Sequence, residues 1–142
     1  MTAPRLPFFV YGTLRPGEAN HDLFLRGHTL SELPARLPDA MLYAGPGYPY
    51  AVEQPGSAVH GDLVTALPDT YTDLLAALDR LEEYTPGDPR NLYERVERKV
   101  TLLPDGPRVP AWVYLAAPTL TTHLRTHGTP IPSGNWRSRD PM

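Results

Sequence analysis

The hydrophobic pattern along the chain indicates short strands on either side of one helix. Residues 8–11 (FFVY) form an uninterrupted apolar, β-prone run, which predicts a buried strand. Residues 93–103 and 108–115 predict a strand pair joined by a turn at 104–106. The Gly- and Pro-rich region 34–61 predicts three short strands near residues 40–43, 50–53 and 59–67, separated by turns at 45–47 and 54–56.

One segment shows a clear helical period. Leu74, Leu78 and Leu81 recur on one face of residues 68–84, and Asp69 or Thr70 can cap this helix. Residues 85–87 (TPG) are expected to end it.

Two other segments complete the pattern. Residues 20–26 predict a short helix capped by Asn20, and the chain after residue 117 is expected to be irregular. The order of strands, one main helix and further strands predicts an α+β domain with a curved or closed, mainly antiparallel sheet. At 142 residues, the chain is expected to form a single domain spanning 1–142.

Composition narrows the possible partners. The formal net charge of −3 argues against nucleic-acid binding, which usually needs a basic face. The chain has no cysteine, which excludes disulfides and thiolate chemistry. No apolar run approaches the ~20 residues that cross a bilayer, and the N-terminus lacks signal-peptide features. We therefore expect a cytoplasmic protein without a membrane partner.

Two adjacent glutamates near the end of the predicted helix are not equivalent. On a wheel of about 100° per residue, Glu82 lies about 80° from Leu74, inside the apolar arc, and Glu83 lies about 180° away. A carboxylate facing a core is costly unless it is paired or serves chemistry. Glu82 is therefore either an acid–base group with a raised pKa or the partner of Arg95 or Arg98, unless it reaches solvent at the last turn.

Two stretches together resemble the γ-glutamylcyclotransferase-like (AIG2-like) family. They are FVYGTLRPGEANH, residues 9–21, and LDRLEEYTPGDPRNLYERVERKV, residues 78–100. Weaker similarities follow in the same order: GPGYP at 45–49, HGDLV at 60–64, AWVY at 111–114 and SGNWR at 133–137. RPGEANH is especially similar to the γ-glutamylamine cyclotransferase branch.

The resemblance implies a small β-barrel with flanking helices that converts a γ-glutamyl compound to 5-oxoproline without a metal or cofactor. It implies Glu82 as the acid–base residue and the loop of Tyr11, Gly12, Thr13 and Leu14 as the substrate cradle. Gly12 suits such a loop, because glycine permits close approach and unusual φ. Tyr93 is expected as a pocket wall or hydrogen-bond donor, and Arg95 as a residue that orients Glu82, binds a carboxylate or is solvated.

One departure from the family pattern leaves alternatives open. The family usually has glycine after its catalytic glutamate, whereas this chain has Glu83. The chain is therefore either an active cyclotransferase, an inactive small-molecule-binding module, or a tailoring enzyme that removes a γ-glutamyl protecting group. His123 and His127 have the i, i+4 spacing of some zinc sites, but no third ligand is evident and no metal is predicted.

Overall fold

A computed structural model of the chain describes residues 5–18 and 20–136. The strands in these residues are β1 (Phe8–Val10), β2 (Thr29–Ala44), β3 (Pro49–Ala66), β4 (Tyr93–Leu102), β5 (Arg108–Ala116) and β6 (Pro130–Ile131). The helices are α1 (Tyr71–Leu81) and α2 (Pro118–His127), with a π-helical turn at His21–Leu25 and a 3-10 turn at Pro68–Thr70.

Five strands close into a barrel. The sheet order is β3-β1-β5-β4-β2, and β2 pairs with β3 to complete the circle, while β6 adds to β2. All pairings are antiparallel except that of β1 with β5, where Phe8 lies opposite Trp112. The predicted α+β fold with a mainly antiparallel barrel is confirmed.

Alternation along the strands divides the core into two layers. Phe9 belongs to a cluster of buried residues that come from all five barrel strands. This cluster fills the barrel interior. Phe8 and Val10 point to the other face, where the buried Leu74 and Leu78 of α1 cover the barrel from outside. The cavity described below lies where this helix-covered layer meets one end of the barrel.

Two long strands replace the three short strands predicted between residues 40 and 67. The segment 40–43 lies within β2, and 50–53 and 59–67 are joined in β3. The predicted turn at 54–56 is a bulge: the pairing shifts from Pro38–Ala58 to Ala40–Glu53. Asp39 and Gly56 have positive φ there, and the Gly56 N–H donates to the Asp39 carboxylate, so the strands continue past the irregularity.

The helical predictions need four corrections. Residues 68–70 form a 3-10 turn, α1 ends at Leu81 rather than near residue 84, and no side chain caps its start. Residues 118–127 form α2 and are not irregular; Pro118 starts the helix at a position where proline is well tolerated. Only two apolar residues of α2, Leu120 and Leu124, pack against the core, so the helical period of apolar residues is weak in the sequence.

No helix in residues 5–18 and 20–136 has the length and apolar character needed to span a membrane. His123 and His127 lie on α2 with ring centroids 5.1 Å apart, and both are exposed. Within the same residues, no cluster of three His, Cys, Asp or Glu side chains could hold a metal ion.

Candidate active site

The C-terminal turn of α1 determines where the two glutamates lie. The Glu83 N–H donates to the Arg80 carbonyl at 3.1 Å, and the Tyr84 N–H donates to the Asp79 carbonyl at 2.8 Å. These two bonds form a Schellman motif. Glu82 is the last residue before the chain turns, with φ −84° and ψ 1°. Glu83 has φ 53°, the left-handed position that glycine usually fills.

A cavity of about 330 Å³ opens where β1 and α1 end and where β3 and β4 begin. It brings together every residue predicted for the site. Its lining consists of Phe9, Val10, Tyr11, Gly12, Thr13, Leu14, Asn20, Tyr48, Pro49, Leu81, Glu82, Glu83, Leu92, Tyr93 and Tyr114.

Glu82 is partly buried in this cavity, and burial raises its pKa from 4.5 to about 7. Neither predicted arginine partner pairs with it. Arg98 binds Glu53 at 2.8 Å, and Arg95 Nε lies 3.1 Å from Asp79 Oδ1. Among the residues that the structure describes, no ion pair compensates the Glu82 carboxylate. It therefore has the environment of a proton-transfer group rather than that of a structural salt bridge.

Four tyrosines lie close enough to Glu82 to respond to its charge, and three of them, Tyr11, Tyr93 and Tyr114, line the cavity. Burial raises the pKa of Tyr11, Tyr50, Tyr93 and Tyr114, and the Glu82 charge adds to the effect at each; the pKa of Tyr50 reaches about 12. The hydroxyl protons of three are committed to neighbours. Tyr11 donates to the Tyr114 carbonyl, Tyr93 to the Pro49 carbonyl at 2.8 Å, and Tyr114 to Asp79 Oδ1 at 2.6 Å. These neutral side chains form a fixed wall of the cavity.

The loop after β1 supplies backbone donors. Within the described part of the chain, the N–H groups of Gly12, Thr13 and Leu14 donate to no protein acceptor. Of the two properties predicted for Gly12, unusual φ is wrong, because its φ is not positive, whereas the need for space is observed: a Cβ there would lie 2.7 Å from Pro49 Cδ. The expectation that Asn20 caps a helix is also wrong, because its side chain donates to Thr13 Oγ1 at 2.8 Å. This hydrogen bond holds Asn20 against the loop of residues 11–14.

Arg15 anchors the same loop to two distant segments. Its Nε lies 2.8 Å from Asp62 Oδ2, and its Nη1 donates to Asn135 Oδ1 at 2.8 Å. Arg15 therefore joins the YGTLRPG motif to the HGDLV and SGNWR segments. Ala19 and Arg137, which belong to the quoted motifs, lie outside the described residues.

Several site residues were not identified from the sequence, among them Tyr48, Tyr114 and Asp79. Tyr114 lines the cavity, and Asp79 holds its hydroxyl. The Arg95–Asp79 contact lacks hydrogen-bond geometry at Nε, so it is ionic, and the guanidinium lies 4.5 Å from the Trp112 ring centroid. Arg95 therefore contacts Asp79 instead of orienting Glu82. The LD-x-x-E spacing, which puts Asp79 and Glu82 on adjacent turns, was the available signal.

The fold and the cavity define a class of small β-barrel proteins with a cavity at one end of the barrel that contains a partly buried carboxylate. The sequence matches the family described as "Gamma-glutamyl cyclotransferase, AIG2-like" over residues 8–138. The chain belongs to this family.

Two similar sequences carry related names. A Niallia circulans protein named gamma-L-glutamyl-butirosin B gamma-glutamyl cyclotransferase is 38% identical over 94 residues, covering 65% of this chain. The match spans only 56% of that relative's length. A Vibrio cholerae protein provisionally named gamma-glutamylcyclotransferase is 34% identical over 131 residues, covering 92% of this chain and 95% of that protein.

Solved structures share the fold. An AIG2-like protein from Mus musculus superimposes with a TM-score of 0.60 at 26% identity, covering 81% of each chain. YkqA from Bacillus subtilis gives a TM-score of 0.63 at 25% identity, covering 93% of this chain and 39% of that one.

Proposed function

We propose that the protein converts a γ-glutamyl amine or γ-glutamyl amino acid to 5-oxoproline and a free amine. The α-amino nitrogen attacks the side-chain carbonyl carbon of the same molecule, forming the C–N bond of the ring. The attacking nitrogen loses one proton before the attack and a second one afterwards, when it has become the ring nitrogen. The amide C–N bond to the leaving group breaks, and the leaving nitrogen takes up both protons and departs as an ammonium ion. Nucleophile and electrophile are already joined in the substrate, so the protein must mainly orient them and transfer these protons.

Glu82 carries these protons one at a time. Its carboxylate takes the first proton from the α-ammonium group, whose ordinary pKa is about 8, and passes it to the departing nitrogen. It then takes the second proton from the ring nitrogen, and that proton completes the ammonium group of the released amine. The single observation that carries this assignment is the partly buried, ion-pair-free Glu82 carboxylate inside the cavity, with its pKa raised to about 7. A group with this pKa is present in both protonation states near neutral pH.

The loop of residues 11–14 holds the negative charges of the substrate. The unused N–H groups of Gly12, Thr13 and Leu14 suit the substrate carboxylate and the oxyanion that forms on the attacked carbonyl. Tyr93, whose hydroxyl is fixed on the Pro49 carbonyl, serves as a wall of the pocket.

The test is 5-oxoproline release from a panel of γ-glutamyl amines and γ-glutamyl amino acids. Glu82→Gln is expected to abolish release while leaving the circular dichroism spectrum unchanged. Glu97→Gln is the matched control, since Glu97 is an exposed strand residue outside the cavity. Full activity of Glu82→Gln would refute the assignment.

A second candidate is a tailoring reaction on a biosynthetic intermediate. It uses the same chemistry and is supported by the similarity to the Niallia circulans protein. Turnover of a γ-glutamyl aminoglycoside alone would favour it. An inactive binding module would instead bind γ-glutamyl compounds without releasing 5-oxoproline.

A further inference from the structure

The charges that line the cavity are all negative. Glu82 and Glu83 contribute carboxylates, and no lysine, arginine or histidine among the described residues lines the cavity. The nearby Arg15 is held by Asp62, and Arg95 is held by Asp79. Such a cavity attracts a cation and disfavours an anion at any part of the ligand that lies near these carboxylates.

Glu83 occupies a backbone position that suits glycine. Its φ of 53° closes the Schellman turn, and a side chain at this φ is strained. Among the residues described, only Asp39 shares this feature, and its carboxylate is used by the Gly56 N–H. The Glu83 side chain is exposed and has no such intramolecular role among the described contacts. A strained residue at a cavity is a reason to look for a function of its side chain.

The two carboxylates act on different parts of the cavity. Glu82 is partly buried, whereas Glu83 is exposed at the mouth. Burial alone accounts for the raised pKa of Glu82, so the Glu83 charge does not govern the proton-transfer group. Two leucines line the cavity beside them: Leu81, which is partly buried, and Leu92, which is 47% exposed. Leu81 and Leu92 therefore give the cavity an apolar lining beside the two carboxylates.

We infer that Glu83 is a specificity-determining residue that selects a positively charged leaving group. The preferred substrates are γ-glutamyl amides of amines that carry a second, protonated amino group beyond a short apolar chain. The chain of such an amine contacts Leu81 and Leu92, and its ammonium group meets the Glu83 carboxylate at the mouth. This inference rests on the proposed function and adds the class of leaving group to it.

The test compares two matched substrates. γ-Glutamyl-cadaverine ends in an ammonium group, and γ-glutamyl-hexylamide has a methyl group in its place. The wild type is expected to show a higher kcat/KM for the cadaverine amide. Glu83→Gln is expected to lower the ratio of the two kcat/KM values about two- to fivefold, the range for an exposed ion pair. Added salt should narrow the wild-type preference.

Glu97→Gln, which removes one negative charge far from the cavity, should leave the ratio at its wild-type value. An unchanged ratio in Glu83→Gln, with both amides converted, would overturn the inference and leave the proposed function intact. If neither amide releases 5-oxoproline, the proposed function fails, and calorimetric binding of the same two amides decides the inference. Equal affinities in wild type and Glu83→Gln would then overturn it.

Discussion

The guanidinium of Arg15 and the carboxylate of Asp62 form a buried ion pair, with Nε 2.8 Å from Oδ2 and both side chains about one-tenth exposed. The pair joins the loop after β1 to β3. Removing one member leaves an uncompensated charge in a low-dielectric environment. We expect Asp62→Asn to lower the free energy of unfolding by about 3 kcal/mol, measured by urea denaturation.

The exposed pair Arg98–Glu53 is the matched control, with an equal N–O distance of 2.8 Å. Glu53→Gln is expected to cost less than about 1 kcal/mol, because solvent screens this pair. Replacing both Arg15 and Asp62 by apolar residues should cost less than Asp62→Asn alone. If Asp62→Asn and Glu53→Gln lower the free energy of unfolding by the same amount, the buried pair Arg15–Asp62 is no more important for stability than the exposed pair.

A methyl group at Gly12 should disturb the cavity. Its Cβ would lie 2.7 Å from Pro49 Cδ and 2.9 Å from Pro49 Cγ, so the loop or Pro49 must move. The Pro49 carbonyl also accepts the hydrogen bond from the Tyr93 hydroxyl, so a movement of Pro49 would displace Tyr93, which lines the cavity as well. We expect Gly12→Ala to lower kcat/KM for 5-oxoproline release at least tenfold, because misplaced donors lose orientation.

Gly87→Ala controls for the general effect of adding a methyl group to a glycine. Gly87 has φ 76°, a Cβ added there would meet no atom within 4 Å, and the residue lies outside the cavity. This variant should lose about 1 kcal/mol of stability through backbone strain and keep its kcat/KM. Equal activity of both variants would show that the space at Gly12 is not needed for turnover.

The sequence predicts the barrel, α1 and the position of Glu82, because each depends on a local period. Glu82 follows the last helical residue, yet its φ of −84° continues the helical path closely enough for the wheel to apply. The same wheel places Glu83 on the solvent side. The Glu83 side chain is indeed exposed, and its left-handed backbone in addition brings it to the mouth of the cavity, which a wheel cannot represent.

The remaining site residues depend on contacts between distant segments. The sequence favours Asn20 as a helix cap, but its side chain binds Thr13, a competing hydrogen-bond partner in the loop before it. Arg15 reaches Asp62 and Asn135 across the barrel, and no local pattern indicates either contact. Such pairings become predictable only when the closure of the barrel is known.

The pH dependence of turnover should report Glu82 directly. As a base it must be deprotonated, and its pKa is about 7. We expect kcat/KM, which reports the free enzyme, to rise about tenfold per pH unit in acid and to level off above about pH 7. Release of 5-oxoproline between pH 5 and 8.5 measures this limb. A limb near 4.5, the ordinary value for glutamate, would mean that Glu82 is not desolvated or is not the base.

The same group should make stability depend on pH in the opposite sense to a salt-bridged carboxylate. Because the folded-state pKa of Glu82 is raised from 4.5 to about 7, the folded protein binds more protons than the unfolded chain in that window. Relative to a glutamate whose pKa does not change on folding, Glu82 therefore costs no stability below about pH 4.5. The free energy of unfolding falls as the carboxyl group ionises, and the loss is complete once the pH has risen through about 7. Full burial would make this loss about 3 kcal/mol, and the residual exposure of Glu82 reduces it to about 2 kcal/mol.

Glu82→Gln removes this dependence. Relative to wild type, the free energy of unfolding of the variant should rise by about 2 kcal/mol between pH 4.5 and pH 8, as followed by urea denaturation. Other titrating groups are common to both proteins and cancel in the difference. Glu97→Gln should show a nearly constant difference from wild type, since Glu97 is exposed. A constant difference for Glu82→Gln as well would mean that the Glu82 carboxylate is solvated in the folded protein, and its assignment as the proton-transfer group would lose its physical basis.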